Sequence, residues 1–176
     1  MDLLLPSVYL SVLLALLAIA GVAVVLQIFK TRNVETQLTK LQGKLTKEKG
    51  NPAEYYELGT IYLDKKLFGQ ALNLFQKALK AGEVEPEQEA LIYNGIGYAH
   101  FAQEQYDLAI RNYKEALKLN PEYVVALNNL GHAYERKQLT SQALEMYQQA
   151  LKLDSKNQTA KRRSESLKKR VVTEVA

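Results

Sequence analysis

The sequence contains no cysteine and no tryptophan, and its only histidines are His100 and His132. Without cysteine there is no disulfide framework, no thiolate zinc site, no iron–sulfur cluster and no thiol nucleophile. Two isolated histidines exclude a multi-histidine metal centre and leave a general acid–base site little to build on. A phosphate-binding loop, a nucleophile elbow and metal-ligand spacings are missing as well. The expectation is therefore a non-enzyme, with no catalytic residue, no metal and no cofactor. Proline (4) and glycine (9) are scarce among the 176 residues, whereas tyrosine is plentiful at 11.

Charge is scarce where it would obstruct a lipid phase. No charged side chain occurs between Leu3 and Phe29, and Val8 to Phe29 is a run of 22 residues dominated by Leu, Ala and Val. At about 1.5 Å per residue a helix of that length spans about 33 Å, enough to cross a hydrocarbon core of about 30 Å. Ala18-Ile19-Ala20 looks like a signal-cleavage site, but no Lys or Arg precedes the run, which continues nine residues past Ala20. A retained transmembrane anchor over residues 1–29 is the expectation. Lys30, Arg32, Lys40, Lys44, Lys47 and Lys49 all follow the span. The positive-inside tendency places the C-terminal bulk on the cytoplasmic or stromal side.

The remaining charge is unevenly spread. Residues 1–51 hold 6 basic and 3 acidic side chains, residues 52–157 hold 11 and 14, and residues 158–176 hold 6 and 2. The middle is mildly acidic between two basic ends. In the basic connector, residues 30–51, Val34, Leu38, Leu41 and Leu45 fall on one helical stripe. That stripe fits either a helix resting on the following domain or a short homotypic coiled coil.

The middle is repetitive. Gly59, Gly97 and Gly131 are separated by 38 and 34 residues; Ala71, Ala109 and Ala143 keep the same intervals, as do Ala78, Ala116 and Ala150. These series mark three copies of one unit, with four extra residues between the first two. The first copy reads Tyr55-x2-Leu58-Gly59-x2-Tyr62, then Ala71, Phe75 and Ala78. The second has Tyr93, Ile96, Gly97, His100, Ala109, Tyr113 and Ala116, and the third Leu127, Leu130, Gly131, Tyr134, Ala143, Tyr147 and Ala150. This pattern resembles the tetratricopeptide repeat (TPR) over residues 52–157, with copies at 52–85, 90–123 and 124–157. The usual opening Trp is replaced by Tyr55, Tyr93 and Leu127, and the closing Pro occurs only as Pro121.

The resemblance implies an all-α chain: a transmembrane helix, a three-repeat TPR helical solenoid and a capping helix within residues 158–176. Apolar spacing independently makes each copy two helices joined by a turn. The repeated glycines imply close helix–helix approach, met from the second helix by Ala71, Ala109 and Ala143, with Phe75, Tyr113 and Tyr147 beside it. Asn51-Pro52 and Asn120-Pro121 each read as a capping side chain before a first-turn proline. Asp154-Ser155 stands in the equivalent place after the third copy. The run Glu83 to Glu89 contains the four extra residues; its acids suit either a helix N-terminus or a contact surface for a basic partner. Lys161, Arg162, Arg163, Lys168, Lys169 and Arg170 give the last helix a polar outer face. They could also meet anionic lipid or an acidic protein; no aromatic is interleaved with them, so nucleic acid is not expected as a partner.

In TPR stacks the first helix of each pair lines a concave face to which protein partners bind. The resemblance therefore implies a groove of Tyr56, Thr60 and Leu63, then Asn94, Tyr98 and Phe101, then Asn128, His132 and Glu135. The equivalent Asn94 and Asn128 could hydrogen-bond an extended backbone. Tyr56 and Thr60 stand where chaperone-tail binders of the family carry Lys and Asn, so that ligand is not expected. His100 replaces a repeat tyrosine and is expected to pack between helices. The whole layout is similar to that of small membrane-anchored TPR proteins that assist photosystem I assembly in cyanobacteria and plastids. It implies a thylakoid membrane location and partners among photosystem I subunits or assembly factors. A membrane-tethered adaptor in cytochrome maturation or protein import shares the same layout.

Overall fold

A computed structural model describes the backbone of residues 4–175 and the side chains of residues 8–170. The first three residues of the expected anchor and Ala176 of the expected tail lie outside the described residues. Every element among those described is an α-helix. The chain divides into two compact units, one up to Thr46 and one from Lys47 onward.

The first unit is one helix, α1 (Leu4–Leu45), which runs without a break through the apolar stretch and into the basic connector. From Val8 to Phe29 its large apolar side chains are exposed on all sides. A helix apolar all round has no polar face to give to water. It is long and apolar enough to cross a membrane. Within the helix Ser11 Oγ donates to the Val8 carbonyl at 2.8 Å, and Thr31 Oγ1 to that of Gln27 at 2.9 Å.

The second unit holds three helix pairs: α2 (Pro52–Asp64) with α3 (Phe68–Lys80), α4 (Pro86–Ala102) with α5 (Tyr106–Leu119), and α6 (Val124–Arg136) with α7 (Thr140–Leu153). A last helix, α8 (Gln158–Val175), follows. Each helix packs on its neighbours in sequence, and the first helices α2, α4 and α6 also touch in series. The second helices do not approach one another to that extent. The first helices therefore lie on the inner side of the stack.

The four extra residues are an added turn of helix. Relative to α2, α4 begins one turn early, at Pro86, and has 17 residues against 13. Asn51 caps α2 as expected. Its side chain accepts from the Glu54 N–H at 2.9 Å while Glu54 Oε2 accepts from the Asn51 N–H at 3.1 Å, a reciprocal capping box. Asn120-Pro121 does not open a helix. Asn120 closes α5 in an extended conformation, as a residue before proline prefers, and its side chain accepts from the Glu122 N–H at 3.1 Å. Asp154 forms the same local turn with Lys156 at 3.0 Å, and the start of α8 is held by Asn157 Oδ1, which accepts from the Ala160 N–H at 2.9 Å.

The turns inside the three pairs are copies of one another. Lys66, Glu104 and Gln138 have φ of 59°, 60° and 59°. The next N–H in each case, from Leu67, Gln105 and Leu139, reaches back to the carbonyls of Tyr62, His100 and Tyr134 at 2.8, 2.9 and 2.9 Å. That is a Schellman closure built without glycine. His100 is half-buried and pairs through Nδ1 with Gln105 Oε1 at 2.6 Å, bracing its turn.

The glycines meet aromatics rather than alanines. A Cβ on Gly59 would lie 2.6 Å from Phe75 Cε1, one on Gly97 2.6 Å from Tyr113 Cε1, and one on Gly131 2.9 Å from Tyr147 Cε1. Phe75 is wedged between two helices, since a Cβ on Gly95 would come within 2.8 Å of its Cζ. Ala71, Ala109 and Ala143 are fully buried, but the space over each glycine belongs to the ring one turn further along. An edge-on ring reaches across the helix pair where a methyl group is too short.

Candidate partner-binding groove

On α2, Tyr56, Thr60 and Leu63 recur at helical spacing and share one face with Asp64. With Asn94, Gly95 and Tyr98 of α4, and Val125 and Asn129 of α6, they line a cavity of about 520 Å³. Lys66, from the turn after α2, and Phe68, the first residue of α3, complete the lining. Five of the expected groove residues, Tyr56, Thr60, Leu63, Asn94 and Tyr98, are thus brought together.

The floor is built by the repeat geometry. Gly95 has no side chain, which lets the Phe75 ring come up beneath it. Tyr56 leans on that ring with centroids 5.8 Å apart. Burial raises the Tyr56 hydroxyl above its ordinary pKa, so it stays a neutral donor and acceptor. Asn129 Nδ2 donates to Asn94 Oδ1 at 3.0 Å, joining α6 to α4. Tyr98 is 46% exposed and Val125 52%, an apolar pair open to solvent.

Phe101, Asn128 and His132 do not line this cavity. Phe101 stacks on His132 with centroids 4.8 Å apart. Asn128 Nδ2 donates to Asn157 Oδ1 at 3.3 Å. Glu135 accepts from the Tyr147 hydroxyl at 2.6 Å and pairs with Arg163 of α8 at 3.5 Å. Burial and Arg163 push the His132 imidazole below its usual pKa, with Arg136 adding to that and Glu135 opposing it. Burial raises Tyr147, and the hydrogen bond to Glu135 raises it further.

The division has a geometric cause. Each first helix has one edge facing the helix before it and one facing the helix after it. Tyr56, Asn94 and Asn128 lie on the forward edge of their helices. Ahead of α6 stand α8, whose Arg163 pairs with Glu135, and Asn157 just before it, which accepts from Asn128. The edge of α6 that faces α4 carries Val125 and Asn129, one turn apart. Strict repeat equivalence with Asn94 selects Asn128 and passes over its neighbour. The i, i+4 pairing of exposed Val125 with Asn129 is the signal that marks the other edge.

Tetratricopeptide repeat models match residues 56–110 and 124–157, and a TPR repeat model matches residues 97–138. The ycf37 protein of Cyanophora paradoxa is 39% identical over 93% of this chain and 95% of its own length. The chloroplastic tetratricopeptide repeat domain-containing protein PYG7 of Arabidopsis thaliana is 33% identical over 94% of this chain and 56% of its own length. Among solved structures, MamA superposes with a TM-score of 0.70 at 20% identity, covering 78% of each chain. The first TPR of Spaghetti (RPAP3), bound to an HSP90 peptide, gives 0.64 at 19% identity over 71% of this chain and 96% of that one. Both structures share the fold. With three glycine–aromatic helix pairs, and with ycf37 and PYG7 among its relatives, the chain belongs to the tetratricopeptide repeat family.

Proposed function

We propose that this protein is a membrane-anchored TPR scaffold that holds protein partners during photosystem I assembly. The observation that carries the binding role is the open cavity between α2, α4 and α6, with Tyr56, Tyr98 and Val125 beside the amides of Asn94 and Asn129. Aromatic rings offer contact area at low entropic cost, and amides complement a peptide backbone. A TPR scaffold needs no reactive group; its binding energy comes from this surface. The anchor is α1, apolar over Val8 to Phe29, with the lysines that follow it on the cytoplasmic or stromal side. The photosynthetic setting is supported by homology to ycf37 and to a chloroplastic TPR protein. In this reading the membrane is the thylakoid.

Deleting the gene in a phototrophic host and measuring photosystem I content by its absorbance tests the role. A selective loss of photosystem I is expected; an unchanged level under every light regime refutes it. Protease protection in sealed vesicles tests the topology. A second unit shielded inside cytoplasm-side-out vesicles would reverse the orientation.

A further inference from the structure

We propose that the groove of the first two repeats takes an extended basic segment of a partner protein, one that alternates cationic with aliphatic side chains. This rests on the groove being the binding surface and adds the chemistry of its occupant.

The cavity has a neighbour. Tyr56 also lines a second hollow of about 120 Å³, formed with Pro52, Ala53, Gln88, Leu91 and Ile92. Tyr56 is the wall common to the two hollows, and both lie against α2 and α4. The added turn at the start of α4 supplies Gln88 to the second. Its lining is almost wholly apolar, and its size suits a single aliphatic side chain.

Asp64 and Lys66 are the charged residues in the lining itself, but the two helices that flank the hollows carry acids alone. Helices α2 and α4 carry Glu54, Glu57, Asp64, Glu87 and Glu89 and contain no Lys or Arg; the loop between α3 and α4 adds Glu83 and Glu85. Helices α3 and α5, on the outer side, carry Lys77, Lys80, Arg111, Lys114 and Lys118 against Asp107 and Glu115. Lys66 is the one cation in the lining of the larger cavity. Glu57 lies one turn from Thr60, and Glu87 one turn from Leu91, so both border the lining residues. In an extended segment successive side chains point to opposite sides. One set fills the apolar floor while the other reaches the carboxylates at the rim, where opposite charge steers encounter and fixes register.

The test uses the full chain in a non-ionic detergent and a fluorescent peptide repeating Lys-Val-Lys-Ser, with a Glu-Val-Glu-Ser counterpart. The basic peptide is expected to bind, more weakly as salt rises, and the acidic one not to bind. Joint Glu57→Gln, Asp64→Asn and Glu87→Gln should cost about tenfold in affinity. Glu115→Gln with Glu145→Gln, on the outer helices, should cost nothing. Equal binding of the acidic peptide, or charge variants without effect, overturns the basic occupant. If Tyr98→Ala nevertheless abolishes co-purification of native membrane partners, the groove reading stands and only its chemistry is wrong. If Tyr98→Ala also changes nothing, both fall. Self-association of the chain that is lost with Lys168→Gln, Lys169→Gln and Arg170→Gln would put a second copy in the groove and overturn a separate partner.

Discussion

Gly97→Ala isolates what the repeated glycine does. In an open helix this change favours folding by about 1 kcal/mol, because alanine is the better helix former. Here the new Cβ would stand 2.6 Å from Tyr113 Cε1 and 2.7 Å from Cδ1. Carbon atoms rest about 3.5–4.0 Å apart, so the ring or the helix must retreat by about 1 Å. The ring has little room. Tyr113 is 1% exposed and belongs to the cluster of Ala109, Leu127 and Leu130. Overpacking of that kind costs about 1–3 kcal/mol, and an overlap this deep belongs near the upper end. The net expectation is a loss of about 1–2 kcal/mol. Gly69→Ala makes the same chemical change in α3, where a Cβ meets nothing within 4 Å. It should stabilise by a few tenths to about 1 kcal/mol. Because the chain has no tryptophan, tyrosine emission reports directly on the rings during urea unfolding in detergent. The two variants should move the midpoint in opposite directions. A Gly97→Ala protein as stable as its parent would refute the argument that the ring dictates the glycine. In the Gly97→Ala background, Tyr113→Leu should cost less than the two changes summed, since the smaller side chain relieves the overlap.

Other expectations follow from the same geometry. Gln138→Gly, at φ 59°, should stabilise by about 0.5–1 kcal/mol by removing a left-handed strain, measured by the same unfolding curves. Asn51→Ala removes the capping box of α2 and should cost about 1 kcal/mol, with faster amide exchange confined to the first turn. Tyr147→Phe leaves Glu135 without its 2.6 Å donor in a site 12% exposed and should cost about 1–3 kcal/mol. His132 has a folded pKa depressed below its unfolded value near 6.5. The unfolded chain therefore binds the proton first, and the contribution of His132 is complete above about pH 6.5 and is lost as pH falls toward the folded pKa. Unfolding midpoints measured across that window should fall on acidification, and His132→Asn should flatten the slope.

Glycine spacing was enough to place the three helix pairs, because a missing side chain at a helix contact leaves a periodic mark that substitution elsewhere does not blur. It could not say what fills the gap. An alanine and an aromatic recur with the same intervals, and only the length of the ring, reaching Gly97 from Tyr113, separates the two. The capping signals divide similarly. Asn51-Pro52 and Asn120-Pro121 are identical dipeptides, yet Asn51 finds Glu54 three residues on and completes a reciprocal box. Three residues after Asn120 stands Tyr123, which has no carboxylate to return the bond, and the asparagine turns on itself to Glu122 instead. The groove was legible on one edge only. Tyr56, Thr60, Asn94 and Tyr98 follow from repeat position, but repeat position treats every copy alike, and the last copy is not like the others. Its forward edge meets Asn157 and Arg163, so Asn128 and Glu135 become a joint, and α6 presents Val125 and Asn129 to the cavity. A short stack thus has fewer free groove edges than repeats. For the same reason the added turn of α4, which no equivalent copy shares, brings Gln88 to a hollow that repeat position could not foretell.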